Sequence, residues 1–196
     1  MKKSLEPITL TAYHGTTKTS AESIASNNFI IRFSAENWLG QGVYFFTSGI
    51  SCPIQNALEW AKNSHPNSCI GIIRTTIEVN EHHLLDLRLE ANLIKYNKTR
   101  NQIIEQHKNS LSTRRDLKIK KRRDIRLDDQ IITSLIMEEL DIKVLIHNVY
   151  IKNNIQRKLI LESSYPNSTV CSVSDLNVIT SNEVHCMTVE RKNEHA

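Results

Sequence analysis

Two short motifs carry the side chains best suited to chemistry, His14-Gly15-Thr16 and Gly42-Val43-Tyr44-Phe45. A neutral imidazole gives one hydrogen bond and takes another, which suits a sugar hydroxyl. Glycine beside it lets a backbone approach a ligand closely. A tyrosine in the second motif offers an aromatic surface for a planar ring. Together the two motifs could hold an aromatic ring and a ribose.

The elements that must position them follow from pattern. Ile8 to Tyr13 alternates and is rich in β-branched residues, so it reads as a strand that ends at His14. Thr17 to Asn27 reads as a short helix, with Ser20, Ala21, Ile24 and Ala25 at helical spacing. Phe29-Ile30-Ile31 reads as a short strand, and 32–41 as a polar loop anchored by Trp38-Leu39. Gly42 to Phe46 is extended, and Pro53 to Asn63 is a proline-opened helix with Ile54, Ala57, Leu58 and Ala61 on one face. Cys69 to Val79 reads as a central strand. A long helix is predicted over Leu84 to Leu111, and another after Asp128-Asp129. Val144–Ile151, Lys158–Glu162 and Ser168–Val173 are strand candidates, and the chain beyond Glu190 reads as a polar tail.

Composition fits a water-soluble fold, and 196 residues suffice for one domain with a real core. No stretch approaches the roughly 20 apolar residues of a membrane span, so no membrane is expected as a partner. The basic start, Met1 to Pro7, has no apolar run after it and reads poorly as a signal peptide. Cys52, Cys69, Cys171 and Cys186 are scattered, and reduced thiols in a cytoplasm are expected. They lack zinc spacing, and His82-His83 would point to opposite faces of a strand, so no metal is expected. One α+β domain over 1–196 is the simplest account.

Charge is uneven. The chain carries +4, yet 113–126 alone holds eight cations against two acids, which leaves −2 for the remainder. Arg114, Arg115, Lys118, Lys120, Lys121, Arg122 and Arg123 are expected to form a polar, mobile stretch that would attract a polyanion such as RNA. A solvated loop is the ordinary alternative.

Tyr13-His14-Gly15-Thr16, Trp38-Leu39-Gly40-Gln41-Gly42-Val43-Tyr44-Phe45 and Ala57-Leu58-Glu59-Trp60-Ala61 resemble motifs of the ADP-ribosyltransferase superfamily. The likeness is to its branch like poly(ADP-ribose) polymerases, and within that to small bacterial proteins. It covers residues 10–96, including a following segment that ends in Leu85-Asp86-Leu87, and is faint beyond. It implies a split, mostly antiparallel β-sheet flanked by helices, and NAD as substrate. By resemblance, His14 would bond the hydroxyl of the ribose next to nicotinamide. Gly15 would hold the carboxamide through its backbone, and Tyr44 would stack on the ring. Thr16, Gly42 and Trp60 would complete the pocket, although packing is the ordinary role of a helical tryptophan.

Relatives place a glutamate on a late strand. Here that strand reads Ser168 to Val173, with Thr169 at the expected position and Ser168 or Asn167 in neighbouring register. Glu162 is a candidate base through a loop. A His14-Tyr44-Thr169 triad implies single ADP-ribose transfer, to nucleic acid or protein, rather than polymer synthesis. The resemblance also implies an intracellular bacterial toxin, of a toxin–antitoxin or anti-phage system, with a neutralising protein partner. Two alternatives stay open: a degenerate module that binds NAD, ADP-ribose or RNA, and an RNA 2′-phosphotransferase.

Overall fold

The computed structural model describes residues 6–34, 37–113 and 124–187. The basic stretch 114–123 lies outside the described residues, as does the tail beyond 187.

Ile8–Thr17 forms β1, and Thr17 caps the helix that follows, α1 (Lys18–Asn27), by accepting from the Ser20 N–H at 3.2 Å. The helix stops at Asn28, whose φ of 69° suits asparagine better than most side chains. The remaining elements are β2 (Val43–Thr47), α2 (Pro53–Ser64), β3 (Ile70–Val79), β4 (Leu84–Asp86), α3 (Glu90–Gln106), α4 (Lys108–Thr113) and α5 (Asp124–Glu139). Then come β5 (Val144–Val149), α6 (Asn154–Lys158), β6 (Ser168–Val173) and β7 (Ile179–Met187).

Seven strands make one sheet in the order β4-β5-β6-β2-β1-β3-β7. All neighbours are antiparallel except β4 and β5. The predicted class, a mostly antiparallel sheet flanked by helices, is the class observed. Both faces are covered. One buries Ala12, Ala21, Phe29, Phe45 and Ile73; the other buries Phe46, Ala57, Ala61, Ile72 and Leu145. Two layers of core explain why β2, β3 and β6 read as near-continuous apolar runs.

Three expectations are corrected. Phe29–Ile31 is not a strand: Phe29 turns into the core and Ile30 is exposed. The apolar run at 158–162 is not a strand either, because α6 and its closing turn occupy it. The helical pattern starting at Leu84 hides β4, and the helix itself begins at Glu90. β7 escaped detection because it is an edge strand whose outer residues are polar.

Candidate functional site

β1 does not end at His14; it runs three residues further, to Thr17. Its contact with β2 does end there. β1 pairs with β3 along its whole length, Ile8↔Val79 through Thr17↔Ile70. With β2 it pairs only at Ala12↔Thr47 and Tyr13↔Phe46. Beyond Tyr13 the two central strands part, and the sheet is split.

The split exposes a particular set of backbone groups. Lys18 N–H bonds Cys69 C=O at 2.8 Å. Bonded pairs alternate along an antiparallel ladder, so Thr16 and His14 also bond β3. The N–H and C=O of Gly15 then point the other way, toward β2. Thr47 Oγ1 bonding Thr11 C=O at 3.0 Å fits the same alternation. In an unbroken ladder Gly15 would pair with Tyr44; it does not.

Instead the His14 ring enters the gap. Its Nδ1 donates to the Tyr44 carbonyl at 2.8 Å. A carbonyl can only accept, so Nδ1 carries the proton, and in the neutral ring Nε2 is a lone-pair acceptor. Nε2 has no hydrogen-bond partner among the described residues. Phe29 and Phe45 meet the ring edge-on, at centroid distances of 5.2 and 5.9 Å. Burial among these rings pushes the His14 pKa below the ordinary value; the bond to Tyr44 opposes this, and nearby His65 adds to it.

Alternation puts the Tyr44 side chain on the other face of the sheet from His14. Its hydroxyl donates to Gly40 C=O at 3.0 Å and accepts from Leu39 N–H at 2.6 Å. Gly40 adopts φ 81°, which only glycine takes without strain. Trp38 meets the Tyr44 ring at 5.8 Å, tilted 66°. Burial raises the Tyr44 pKa, so the phenol stays neutral. The Trp38–Gly40 loop is thus fastened to the tyrosine it precedes.

Opposite faces do not mean separate compartments, because the gap joins them. A cleft of about 560 Å³ runs through the split and is lined by His14, Gly15, Thr16, Gly42, Tyr44 and Trp60 among others. That volume lies within the range of small-molecule sites, roughly 300–1,000 Å³. All six residues expected to hold a ligand therefore meet in one place. Trp60 is 38% exposed and lines the cleft rather than filling core. Gly15 is required for a second reason: a Cβ there would lie 2.0 Å from the Ala57 carbonyl oxygen, so only glycine lets α2 pack on β1.

Thr169 is corrected. It is fully buried and does not line the cleft. Its Oγ1 donates to Asn148 Oδ1 at 2.7 Å and accepts from Ile50 N–H at 3.2 Å. The hydroxyl is spent on holding the 48–50 turn against β6. Of its register neighbours, Ser168 is also buried and Asn167 bonds Ile151 at both backbone groups. Glu162 is exposed and paired with Lys152, away from the cleft.

Sequence reasoning missed Asn28, Phe29, Arg32 and Asn37, which also line the cleft. Among the described lining residues Arg32 is the one permanently charged side chain, and none is a carboxylate. No spacing marks these residues; the stop of α1 at Asn28 delivers them. His82 and His83 sit on a 3₁₀ turn with ring centroids 3.8 Å apart, not on a strand. Among the described residues no three of His, Cys, Asp and Glu gather as metal ligands, and no helix is long and apolar enough to cross a membrane. The four cysteines are free thiols. Comparison with protein-family models, curated proteins and solved structures finds no match.

Proposed function

We propose that the cleft binds NAD by its nicotinamide end, and that the protein transfers single ADP-ribose units to a nucleic-acid or protein acceptor. One observation carries this reading. The parting of β1 and β2 leaves the Gly15 peptide groups, His14 Nε2 and the Tyr44 ring around one opening. A donor and an acceptor from one residue match a primary carboxamide, which presents the complementary pair. A neutral Nε2 accepts from a ribose hydroxyl. The aromatic wall of Tyr44 and Trp38 takes the ring, and a single guanidinium at Arg32 leaves room for an anionic ligand.

The chemistry asks little of acid or base. The bond from ribose C1′ to the nicotinamide nitrogen breaks, and its electron pair leaves with nicotinamide, which becomes neutral without a proton. The cation left on the sugar resembles that of glycoside cleavage. The acceptor gives a lone pair to C1′ and its proton to water. Positioning and exclusion of bulk solvent supply the rate. Among the described residues no carboxylate lines the cleft to activate a ribose hydroxyl, in keeping with transfer of a single unit. A cell making such a protein would need to restrain it, in keeping with an intracellular bacterial toxin.

Labelled NAD tests the reading. The protein should release nicotinamide, and His14→Ala should lower release by about 100-fold. The lack of a carboxylate among the described lining residues favours one rival, a module that binds NAD without turnover. Calorimetric binding with no nicotinamide release would select that rival.

A further inference from the structure

Residues 152–165 leave their aliphatic side chains in water. Asn153 and Gln156 close a local capping box, each bonding the other's N–H, at 2.9 and 3.0 Å, and the Asn154 backbone N–H reaches Glu59 on α2 at 3.4 Å. Ile155 is 68%, Leu159 62% and Ile160 82% exposed. A surface helix ordinarily does the reverse. The turn that closes α6 sharpens the point. Leu161 N–H bonds Gln156 C=O at 2.9 Å and Ile160 N–H bonds Arg157 C=O at 3.2 Å, a Schellman closure. Ile160 holds its left-handed position, φ 55°, where glycine is usual and a β-branched residue is strained. Within the described residues that side chain gains no packing in return.

The ridge adjoins the cleft. Ile151, just before it, lines the cleft, and Glu59 is next to Trp60, which also lines it. Its charge is one-sided: Lys152 pairs with Glu162, but Arg157 and Lys158 are exposed and pair with no carboxylate among the described residues. Aliphatic knobs flanked by cations without carboxylate partners among the described residues complement apolar side chains flanked by carboxylates. Nucleic acid is held instead by stacking on aromatic rings; the one exposed ring of the segment, Tyr165, lies beyond the ridge, whose core of Ile155, Leu159, Ile160 and Leu161 is aliphatic.

We propose that the ridge Ile155–Leu161 docks a protein acceptor, an acidic polypeptide with apolar side chains that is laid toward the cleft mouth. This rests on reading the cleft as an NAD site. The test uses the full chain, labelled NAD and a cell lysate as the source of acceptors. Its variants are Ile160→Gly, which relieves the left-handed strain, and Ile155→Ser combined with Leu159→Ser. Protease-sensitive, nuclease-resistant label should fall about tenfold or more in the variants. Nicotinamide release without lysate should stay within about twofold, and thermal stability of Ile160→Gly should hold or rise. Unchanged protein labelling, or label removed by nuclease, overturns the docking proposal and spares the NAD site. Wild-type protein that binds NAD but releases no nicotinamide overturns the transfer and the proposal with it, and failure to bind NAD as well overturns the NAD site.

Discussion

His14 Nδ1 donates to the main-chain carbonyl of Tyr44 at 2.8 Å, across the place where the two strands cease to pair. One bond therefore does three things. It fixes the tautomer of the histidine, holds its ring in the gap, and ties together two residues whose side chains lie on opposite faces of the sheet.

Replacing the imidazole separates ligand binding from folding. His14→Ala should lower nicotinamide release by about 100-fold, or about 2.7 kcal/mol of transition-state binding. The fold should lose only about 1 kcal/mol for the missing hydrogen bond, plus the packing of the ring against Phe29 and Phe45. Nicotinamide release and urea unfolding, measured on the same sample, check both. Loss of folding with no separable loss of activity would reduce His14 to a structural residue.

The ring and the hydroxyl of Tyr44 have different jobs. Tyr44→Phe keeps the aromatic wall but orphans the Leu39 N–H, now bonded at 2.6 Å. It should cost about 1–3 kcal/mol of stability and leave release within a few-fold. Tyr44→Ala should remove activity as well. Equal kinetic damage from both would show that the phenol, not the ring, is what the substrate meets.

The histidine sets a pH dependence. Burial holds His14 below the ordinary histidine value of about 6.5, and burial lowers His147 in the same direction. Below that value the unfolded chain binds more protons than the folded one. Stability should therefore be full above about pH 6.5 and fall as pH drops through the lowered folded values. Activity should fall over the same acid range, as Nε2 gains a proton and can no longer accept. Thermal unfolding from pH 5 to 8 would show the slope, and His14→Gln should flatten part of it. A protein steadily more stable toward acid would contradict the sign.

Gly15 tests the packing that opens the gap. Gly15→Ala sets a methyl 2.0 Å from the Ala57 carbonyl oxygen, which α2 cannot yield without leaving β1. A loss of about 2–3 kcal/mol is expected. Chemical denaturation measures it, and an unperturbed midpoint would mean that α2 moves freely.

The basic stretch offers a choice of acceptor. Neutralising Lys120, Lys121, Arg122 and Arg123 together should leave nicotinamide release unchanged, since the proposed NAD contacts are made by His14, Gly15 and Tyr44. If the ridge on α6 docks the acceptor, protein labelling should also persist. Loss of label with release intact would assign the acceptor to the basic stretch.

How much of this was legible beforehand varies with its physical cause. Residue type and order singled out His14, Gly15 and Tyr44; alternation predicted β1, and extended, apolar or β-branched runs predicted β2, β3, β5 and β6. The split itself was not legible, because pairing that stops after Tyr13 leaves no mark in composition. Thr169 was misplaced for a related reason. Sequence gives its strand, but not the 48–50 turn that claims its hydroxyl. The apolar run at 158–162 read as a strand since nothing in the letters shows that Ile160 sits at a left-handed turn facing water.

The measurement that bears most directly on the cleft is a crystal structure of the protein soaked with a non-hydrolysable NAD analogue. The carboxamide should pair with the N–H and C=O of Gly15, with the ring against Tyr44 and a ribose hydroxyl on His14 Nε2. An analogue bound elsewhere, or an empty cleft at saturating concentration, would contradict the account.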